Sequence, residues 1–316
     1  MAGAVLAVMR EVLAYICRTE GLPAAPRVGF MFHGININHG IISNMKMKVA
    51  FSLVLFRHAL EDILPLLKSL SSLAAHRPDY SLSLVIYDAS PAAFHGPLIM
   101  DIEGSTQGVT LSYRKSSNIG FGSANNINFK TAMLSCVDLF VVVNPDISFA
   151  SQELSPLLDW IQDNASHVSC VAPLIVNASG EIQYSAKQNP TFLSLLLGRI
   201  GVLRRIRVFA RYDSWHRGLG NDYAKCCFDS SYLSGCFLII PSCYYLAVGG
   251  FCERFFLHLE DADLVRRLSG VGRTLHNPIG RVTHLWARGS HRSLAQMYML
   301  ARSYIIYTSI WGFAFA

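Results

Sequence analysis

Three carboxylates stand together in Leu257-His258-Leu259-Glu260-Asp261-Ala262-Asp263-Leu264, directly after Gly249-Gly250-Phe251-Cys252-Glu253-Arg254-Phe255-Phe256. Charge so close to an apolar wall is costly unless it is paired or used. Near a helix N-terminus the three carboxylates would equally suit a structural capping cluster. A second acidic position, Asp146 in Asn144-Pro145-Asp146, follows the apolar run Leu139 to Val143. There it could hold a divalent cation through hard oxygen contacts, with a nucleotide diphosphate completing the shell. Pro-Asp is equally ordinary turn chemistry. Asp88, after Ser83-Leu84-Val85-Ile86-Tyr87, could accept hydrogen bonds from a nucleobase or ribose, or cap the next turn. His284 could join Asp146 on a metal as a neutral imidazole, or serve the fold alone. In Asn118-Ile119-Gly120-Phe121-Gly122-Ser123-Ala124-Asn125-Asn126 the small residues allow a backbone to approach a ligand closely. A helix N-terminus after that turn would favour phosphate or ribose oxygens, although the GxGxxG dinucleotide spacing is missing.

Residues so far apart need a scaffold to converge. Runs 48–56, 83–87, 109–113 and 138–143 are near-continuously apolar and predict strands buried on both faces. Helices are expected over 59–73 (Leu60, Ile63, Leu64, Leu67 and Leu70 at helical spacing), 126–137 and 155–164. Shorter strands are expected near 170–173 and 182–185, then at 231–241 and 281–284, with a last helix from about Leu294. Leu264, Leu268 and the Arg266-Arg267 pair begin an amphipathic helix, which puts the three carboxylates at its N-terminus, where the dipole favours negative charge. The alternation predicts an α/β fold, a Rossmann-like and mostly parallel mixed sheet with helices on both faces. Ligands bind beyond the carboxyl ends of such strands. Asp88, residues 118–126 and Asp146 all fall there.

The 316 residues suffice for one large domain or two modest ones, and at 52% hydrophobic and 15% charged the chain is apolar for a freely soluble enzyme. The net charge is +6, and Arg199, Arg204, Arg205, Arg207 and Arg211 crowd into one stretch with Leu203, Ile206, Val208 and Phe209. That pattern suits an anionic membrane surface, a phosphate-bearing substrate or a solvated basic connector; no nucleic-acid partner is expected. Eight cysteines lack metal-ligand spacing, and Cys136, Cys170, Cys236 and Cys243 lie in apolar runs, as small buried hydrophobes of a reducing compartment would. No run reaches the roughly twenty apolar residues of a membrane span, and the N-terminus lacks signal-peptide features. The expectation is a cytoplasmic protein, with peripheral contact to the inner face of the cell membrane left open. The aromatics of 304–313 suit either a bilayer interface or a docked helix. Residues 1–47 read as a helical or poorly ordered extension, an over-extended reading frame if the protein's natural start is Met45 or Met47, residues 48–290 as the main domain, and 291–316 as a C-terminal amphipathic helix.

The ordered set Tyr87-Asp88-Ala89-Ser90, Asn118-Ile119-Gly120-Phe121…Asn125-Asn126, Asn144-Pro145-Asp146, Ser234-Gly235-Cys236 and Gly249-Gly250-Phe251…Glu260-Asp261-Ala262-Asp263 resembles the family 2 glycosyltransferases, and most of all their bacterial rhamnosyltransferase-like branch. The resemblance runs from about residue 48 to the C-terminus. It implies a GT-A fold and an inverting, metal-dependent transfer from a dTDP- or UDP-linked sugar, rhamnose first, to a lipid-linked or polysaccharide acceptor. By that resemblance Asp88 contacts the donor's base or ribose, while Asn118, Gly120, Phe121, Asn125 and Asn126 line the nucleotide pocket, with Asn144, Ser234 and Gly235 nearby. Asp146 matches the last acidic position of a DxD-like motif for Mg2+ or Mn2+, and His284 a histidine that completes the metal shell in some relatives. Asp261 matches the catalytic base, with Glu260 beside it, and Asp263 is left as a cap or an arginine partner. Phe56-Arg57, Ala89, Cys252 and Pro241-Ser242 depart from the family pattern, which touches donor identity more than activity. Two other readings stay open: a nucleotidyltransferase, against which Leu55-Phe56-Arg57-His58 offers no glycine-rich phosphate loop, and a catalytically silent assembly subunit.

Overall fold

The computed structural model describes residues 46–94, 96–97, 99–285 and 294–316. The extension expected before residue 46 and the boundary expected at 290/291 lie outside them.

The chain opens with three parallel strands, β1 (Met47–Leu55), β2 (Tyr80–Asp88) and β3 (Thr110–Lys115), connected by helices α1 (Leu60–His76) and α2 (Ile99–Ser105). Helix α3 (Phe121–Met133) leads to β4 (Leu139–Val143), which lies parallel to β1 on its other side. Then come β5 (Ile147–Ser148), α4 (Ser151–Asp163), β6 (Val168–Val176), β7 (Ala186–Lys187), α5 (Phe192–Arg199), a 3-10 turn at Gly201–Arg205 and α6 (Arg207–His216). The last part holds β8 (Phe228–Asp229), β9 (Tyr232–Leu233), β10 (Phe237–Pro241), α7 (Ser242–Ala247), α8 (Glu260–Leu268), β11 (Arg273–His284) and α9 (Leu294–Trp311). Sheet order is β3-β2-β1-β4-β10-β6-β11-β5, with β8 on β11. β10 is antiparallel to both β4 and β6, and β5 and β8 are antiparallel to β11. The rest is parallel, as the apolar runs predict.

Every residue of β4 and β10 is fully buried. Each Leu, Ile, Val or Phe so enclosed contributes up to about 1.5–3 kcal/mol. A polar seam crosses this apolar middle. Asn128 Nδ2 donates to Ser52 Oγ (3.0 Å), to the Leu53 carbonyl (3.2 Å) and to the Val85 carbonyl (3.1 Å), while Ser52 Oγ donates to Asn125 Oδ1 (2.6 Å). Buried polar groups fix geometry when each is satisfied, and here they pin α3 in register over β1 and β2.

Several sequence expectations change. The helix expected from Asn126 begins at Phe121, because Gly120 turns the chain at φ +91° and the Phe256 carbonyl accepts the Phe121 N–H (3.1 Å). The basic stretch is no solvated connector; it forms α5, the 3-10 turn and α6. Among the described cysteines Cys170 and Cys236 are buried, but Cys136 is exposed in the turn after α3. Helix α9 stops at Trp311, where Gly312 turns at φ +81°. The short elements α2, β5 and α7 carry too few residues to show a period in sequence.

Candidate active site

The crevice starts at Asp88, the last residue of β2, held between Leu55 of β1 and Lys115 of β3. Its Oδ1 accepts the Ser90 N–H (2.9 Å) and its Oδ2 the Tyr113 hydroxyl (2.7 Å). Burial opposes the charge, but these donors and Lys115 outweigh it and hold the carboxyl below its usual range. Beyond it lies a cleft of about 410 Å³ lined by Phe56, Ala89, Ser90, Pro91, Ala92 and Lys115-Ser116-Ser117-Asn118. Its wall is set by the Tyr87 hydroxyl on the Ser117 carbonyl (2.8 Å) and by Asn118 Oδ1 on the Gly120 N–H (3.1 Å).

Asp146 follows β4 and is carried toward β11 because β5 pairs there, Ile147 opposite His284. The two side chains face each other, His284 Nε2 being 3.2 Å from Asp146 Oδ1. Gln183 Nε2 donates to the His284 carbonyl (3.2 Å), which turns Oε1 toward His284 Nδ1 (2.9 Å) and sets the ring proton there. Nε2 then faces a carboxylate oxygen across a gap that a cation or a second proton would fill. Burial disfavours the Asp146 charge, yet His284 and His58 hold its carboxyl below the usual range. His58, just past β1, feels both Asp146 and Asp88, and burial pushes its own value down. Among the described residues no group of three or more His, Cys, Asp or Glu side chains forms a complete metal site. The pair could instead supply two ligands of a shell, one oxygen and one nitrogen, which suits an Mg2+ or Mn2+ that also takes substrate phosphates.

The third part is α8. His258 (φ 71°) and Leu259 (φ 64°) both sit in the left-handed region, and Leu259 is the residue before the helix. Two such non-glycine residues cost of order 1–3 kcal/mol each, and they aim the first turn of α8 back at the sheet. Asp261 Oδ2 accepts the Gly235 N–H (2.8 Å) and the Tyr232 hydroxyl (3.1 Å), and its Oδ1 accepts the Ala262 N–H (2.8 Å). A Cβ on Gly235 would lie 3.0 Å from the Asp261 Cβ and 3.3 Å from Oδ2, which explains the glycine. Glu260 is buried beside it, with Oε2 unpartnered. Burial and the Asp261 charge push the Glu260 carboxyl up to about 8. Burial also raises Asp261 against its three donors and Lys187. The proton of the pair therefore rests on Glu260 and the charge on Asp261. Lys187 stands over the Tyr232 ring (5.6 Å) within the field of Asp261, its value lowered by burial.

Asp263 is apart from this group. It is buried, accepts Arg267 Nη2 (2.7 Å) and Nε (3.0 Å), and takes the Trp311 Nε1–H (2.9 Å). It is the arginine partner expected, and it also ties α9 to α8.

Ser234-Gly235-Cys236 joins the two acidic centres. Gly235 holds Asp261, the Cys236 carbonyl accepts the Asn144 N–H (2.9 Å), and the Cys236 thiol feels both Asp261 and Asp146. The three acidic centres are electrostatic neighbours, since His58 feels both Asp88 and Asp146, and the Cys236 thiol both Asp146 and Asp261; of the remaining expected residues, Asn118 lines the cleft, Gly235 holds Asp261, and Asn144 bonds Cys236 beside Ser234. Gly120, Phe121, Asn125 and Asn126 are engaged by protein. Asn126 Nδ2 donates to the Phe251 carbonyl (2.9 Å) and Glu253 Oε1 (3.0 Å), and its Oδ1 accepts the Phe251 N–H (2.9 Å) and the Tyr245 hydroxyl (2.7 Å). Asn125 holds Ser52 and the Phe121 carbonyl (3.0 Å). Tyr113, Tyr232, Lys187, His58 and Gln183 are site neighbours that sequence reasoning missed.

No family model matches the chain. The N-acetylglucosaminyl-diphospho-decaprenol L-rhamnosyltransferase of Mycobacterium tuberculosis is 25% identical over 255 residues, 74% of this chain and 80% of the relative. Among solved structures, GalNAc-T7 with UDP, GalNAc and Mn2+ superposes with a TM-score of 0.50 at 12% identity, over 77% of this chain and 44% of its own. Mannosyltransferase PcManGT from Pyrobaculum calidifontis, in complex with GDP-Man and Mn2+, gives 0.51 at 14% identity, over 78% and 59%. The chain thus spans about half the length of those two structures, and the likeness is one of fold. The chain thus has a GT-A fold and is similar in sequence to a bacterial rhamnosyltransferase.

Proposed function

We propose that the chain transfers a deoxyhexose, rhamnose first, with inversion, from a dTDP- or UDP-linked donor to a lipid-linked glycan acceptor. The observation that carries this reading is the Ser234-Gly235-Cys236 bridge, which sets one hydrogen-bonded anionic carboxylate, Asp261, beside the Asp146–His284 pair. An inverting transfer needs one base on the acceptor side and charge neutralisation on the leaving diphosphate. The relative named for rhamnosyl transfer to a diphospho-decaprenol acceptor supports the donor and acceptor classes.

In this reading Asp261 takes the proton of the attacking acceptor hydroxyl. Burial, which raises its carboxyl, makes it a stronger base, while Gly235, Ala262 and Tyr232 keep it aimed. Neutral Glu260 spares it a second charge. Asp88 receives the nucleoside in the cleft beside Lys115 and Asn118. Asp146 and His284 would hold Mg2+ or Mn2+; bound there, the ion neutralises charge on the departing diphosphate.

The test is Asp261→Asn with dTDP-rhamnose and a panel of UDP-sugars. Turnover should fall by about 10²–10⁴ while donor affinity, read by thermal stabilisation, holds. A variant that keeps full turnover would remove Asp261 from the mechanism, and a product with retained anomeric configuration would end the inverting scheme.

A further inference from the structure

A second surface combines exposed apolar side chains with arginine. Phe192 opens α5, and its ring lies about 6 Å from those of Tyr304 (6.4 Å), Phe313 (6.3 Å) and Phe315 (6.0 Å). The backbone closes the same seam, since Phe192 N–H donates to the Ala314 carbonyl (3.0 Å) and Leu193 N–H to the Phe315 carbonyl (2.9 Å). Helix α5, the 3-10 turn and α6 pack on one another, and they add the exposed Val202 and Val208. Val202 is 60% exposed, Val208 67%, Phe313 66% and Phe315 60%. Side chains this apolar and this open rarely cluster on a free surface.

The charges around the patch have one sign. No Asp or Glu occurs between Glu181 and Asp213, or from Leu294 to Ala316. Asp213 is itself held by Arg204 (3.2 Å) and Arg217 (3.5 Å). Arg205, Arg207 and Arg211 are exposed among the apolar side chains. Helix α9 is apolar on both sides: it buries Ile306 and Tyr307 toward Phe255 and Leu259, and leaves Ile305, Met297 and Tyr298 open.

We propose that this face, formed by α5, the 3-10 turn, α6 and residues 304–315, docks on an anionic lipid bilayer. The apolar side chains enter the headgroup boundary and the arginines meet lipid phosphates, the two-signal combination that stable peripheral binding requires. The face adjoins the acceptor side of the crevice. The carbonyl of His216, the last residue of α6, accepts the Gln188 N–H (2.8 Å), and the preceding Lys187 faces Asp261. Docking would hold the site at the depth of a lipid-borne diphosphate.

The experiment is cosedimentation of the full chain, without substrates, on vesicles of phosphatidylglycerol and phosphatidylcholine, against vesicles of phosphatidylcholine alone. Binding to the anionic vesicles that weakens at high salt is expected. At about fivefold per arginine, Arg205→Gln with Arg207→Gln should lower partitioning by about 25-fold, and Val208→Ser with Phe313→Ser by about tenfold or more. These side chains are exposed, and equal melting temperatures would exclude misfolding as the cause. No binding to anionic vesicles, or binding that neither variant pair weakens, overturns the proposal. So does a dimer in sedimentation analysis that Val208→Ser with Phe313→Ser splits while vesicles stay unbound, since a second copy would then cover the face. Because no sugar nucleotide is present, the outcome is independent of the transfer reaction.

Discussion

Exchanging Glu260 for Gln keeps the side-chain volume and removes one titrating group from the buried pair. The Glu260 carboxyl rises from an ordinary 4.5 to about 8, first through burial and then through the Asp261 charge. Its folded value thus lies above its unfolded one, so the folded chain binds the extra proton. The stability linked to this group is complete below about pH 4.5 and is lost as pH rises toward 8. At about 1.4 kcal/mol per pH unit, that interval corresponds to roughly 5 kcal/mol at most. Sharing of the proton with Asp261 brings the expected figure to about 2–4 kcal/mol. Gln cannot lose the proton, so its stability curve should lack this decline. It does bury an extra N–H₂, which costs a constant amount of about 1–3 kcal/mol at every pH. The slope is therefore the readout and the offset is not. Urea denaturation of both proteins between about pH 5 and 9 measures it. The difference between the Glu260→Gln variant and its parent should swing by about 2–4 kcal/mol in the variant's favour from the acid to the alkaline end. Parallel curves would refute the assignment of the proton to Glu260.

Two glycines give further tests. Gly235→Ala puts a Cβ 3.0 Å from the Asp261 Cβ and must displace that carboxylate from a 2.8 Å hydrogen bond. A charge-assisted bond of about 1.5–3 kcal/mol is weakened, so kcat should fall by about 10–100-fold with donor KM little changed; a loss confined to KM would contradict the positioning role. Gly120→Ala combines φ +91° with a Cβ 2.5 Å from the Phe256 carbonyl oxygen. A loss of about 3 kcal/mol or more is expected, read as a lower melting temperature, and an unchanged one would show that the 251–256 stretch does not depend on this close approach.

Strands β2 and β4 were legible because each is an apolar run that ends on or beside a polar residue, Tyr87-Asp88 and Val143-Asn144. That pattern follows directly from a sheet covered on both faces. The glycines of 118–126 were legible as a place of close approach, but nothing in a glycine says what approaches it. At Gly120 it is the backbone of Phe256, and at Gly122 the ring of Phe251. The partners of Asp261 and His284 were beyond sequence reach. Tyr232 is 29 residues away and Gln183 is 101. Such pairs are set by β7 meeting β9 and by β6 lying beside β11, not by any local period.

The antiparallel course of β10 has a consequence for the order in which the crevice comes into being. Asp88 lies on adjacent βαβ units, and Asp146 only three residues past β4. The seat of Asp261 reaches the same mouth only because β10 runs backward along β4, pairing Val143 with Phe237, and β11 must still close on β6 to bring His284. Contacts of such separation form late in folding. An immature or C-terminally shortened chain could then present the cleft at Asp88 before Asp261 is seated, so that under the proposed function donor capture and donor use would mature at different moments.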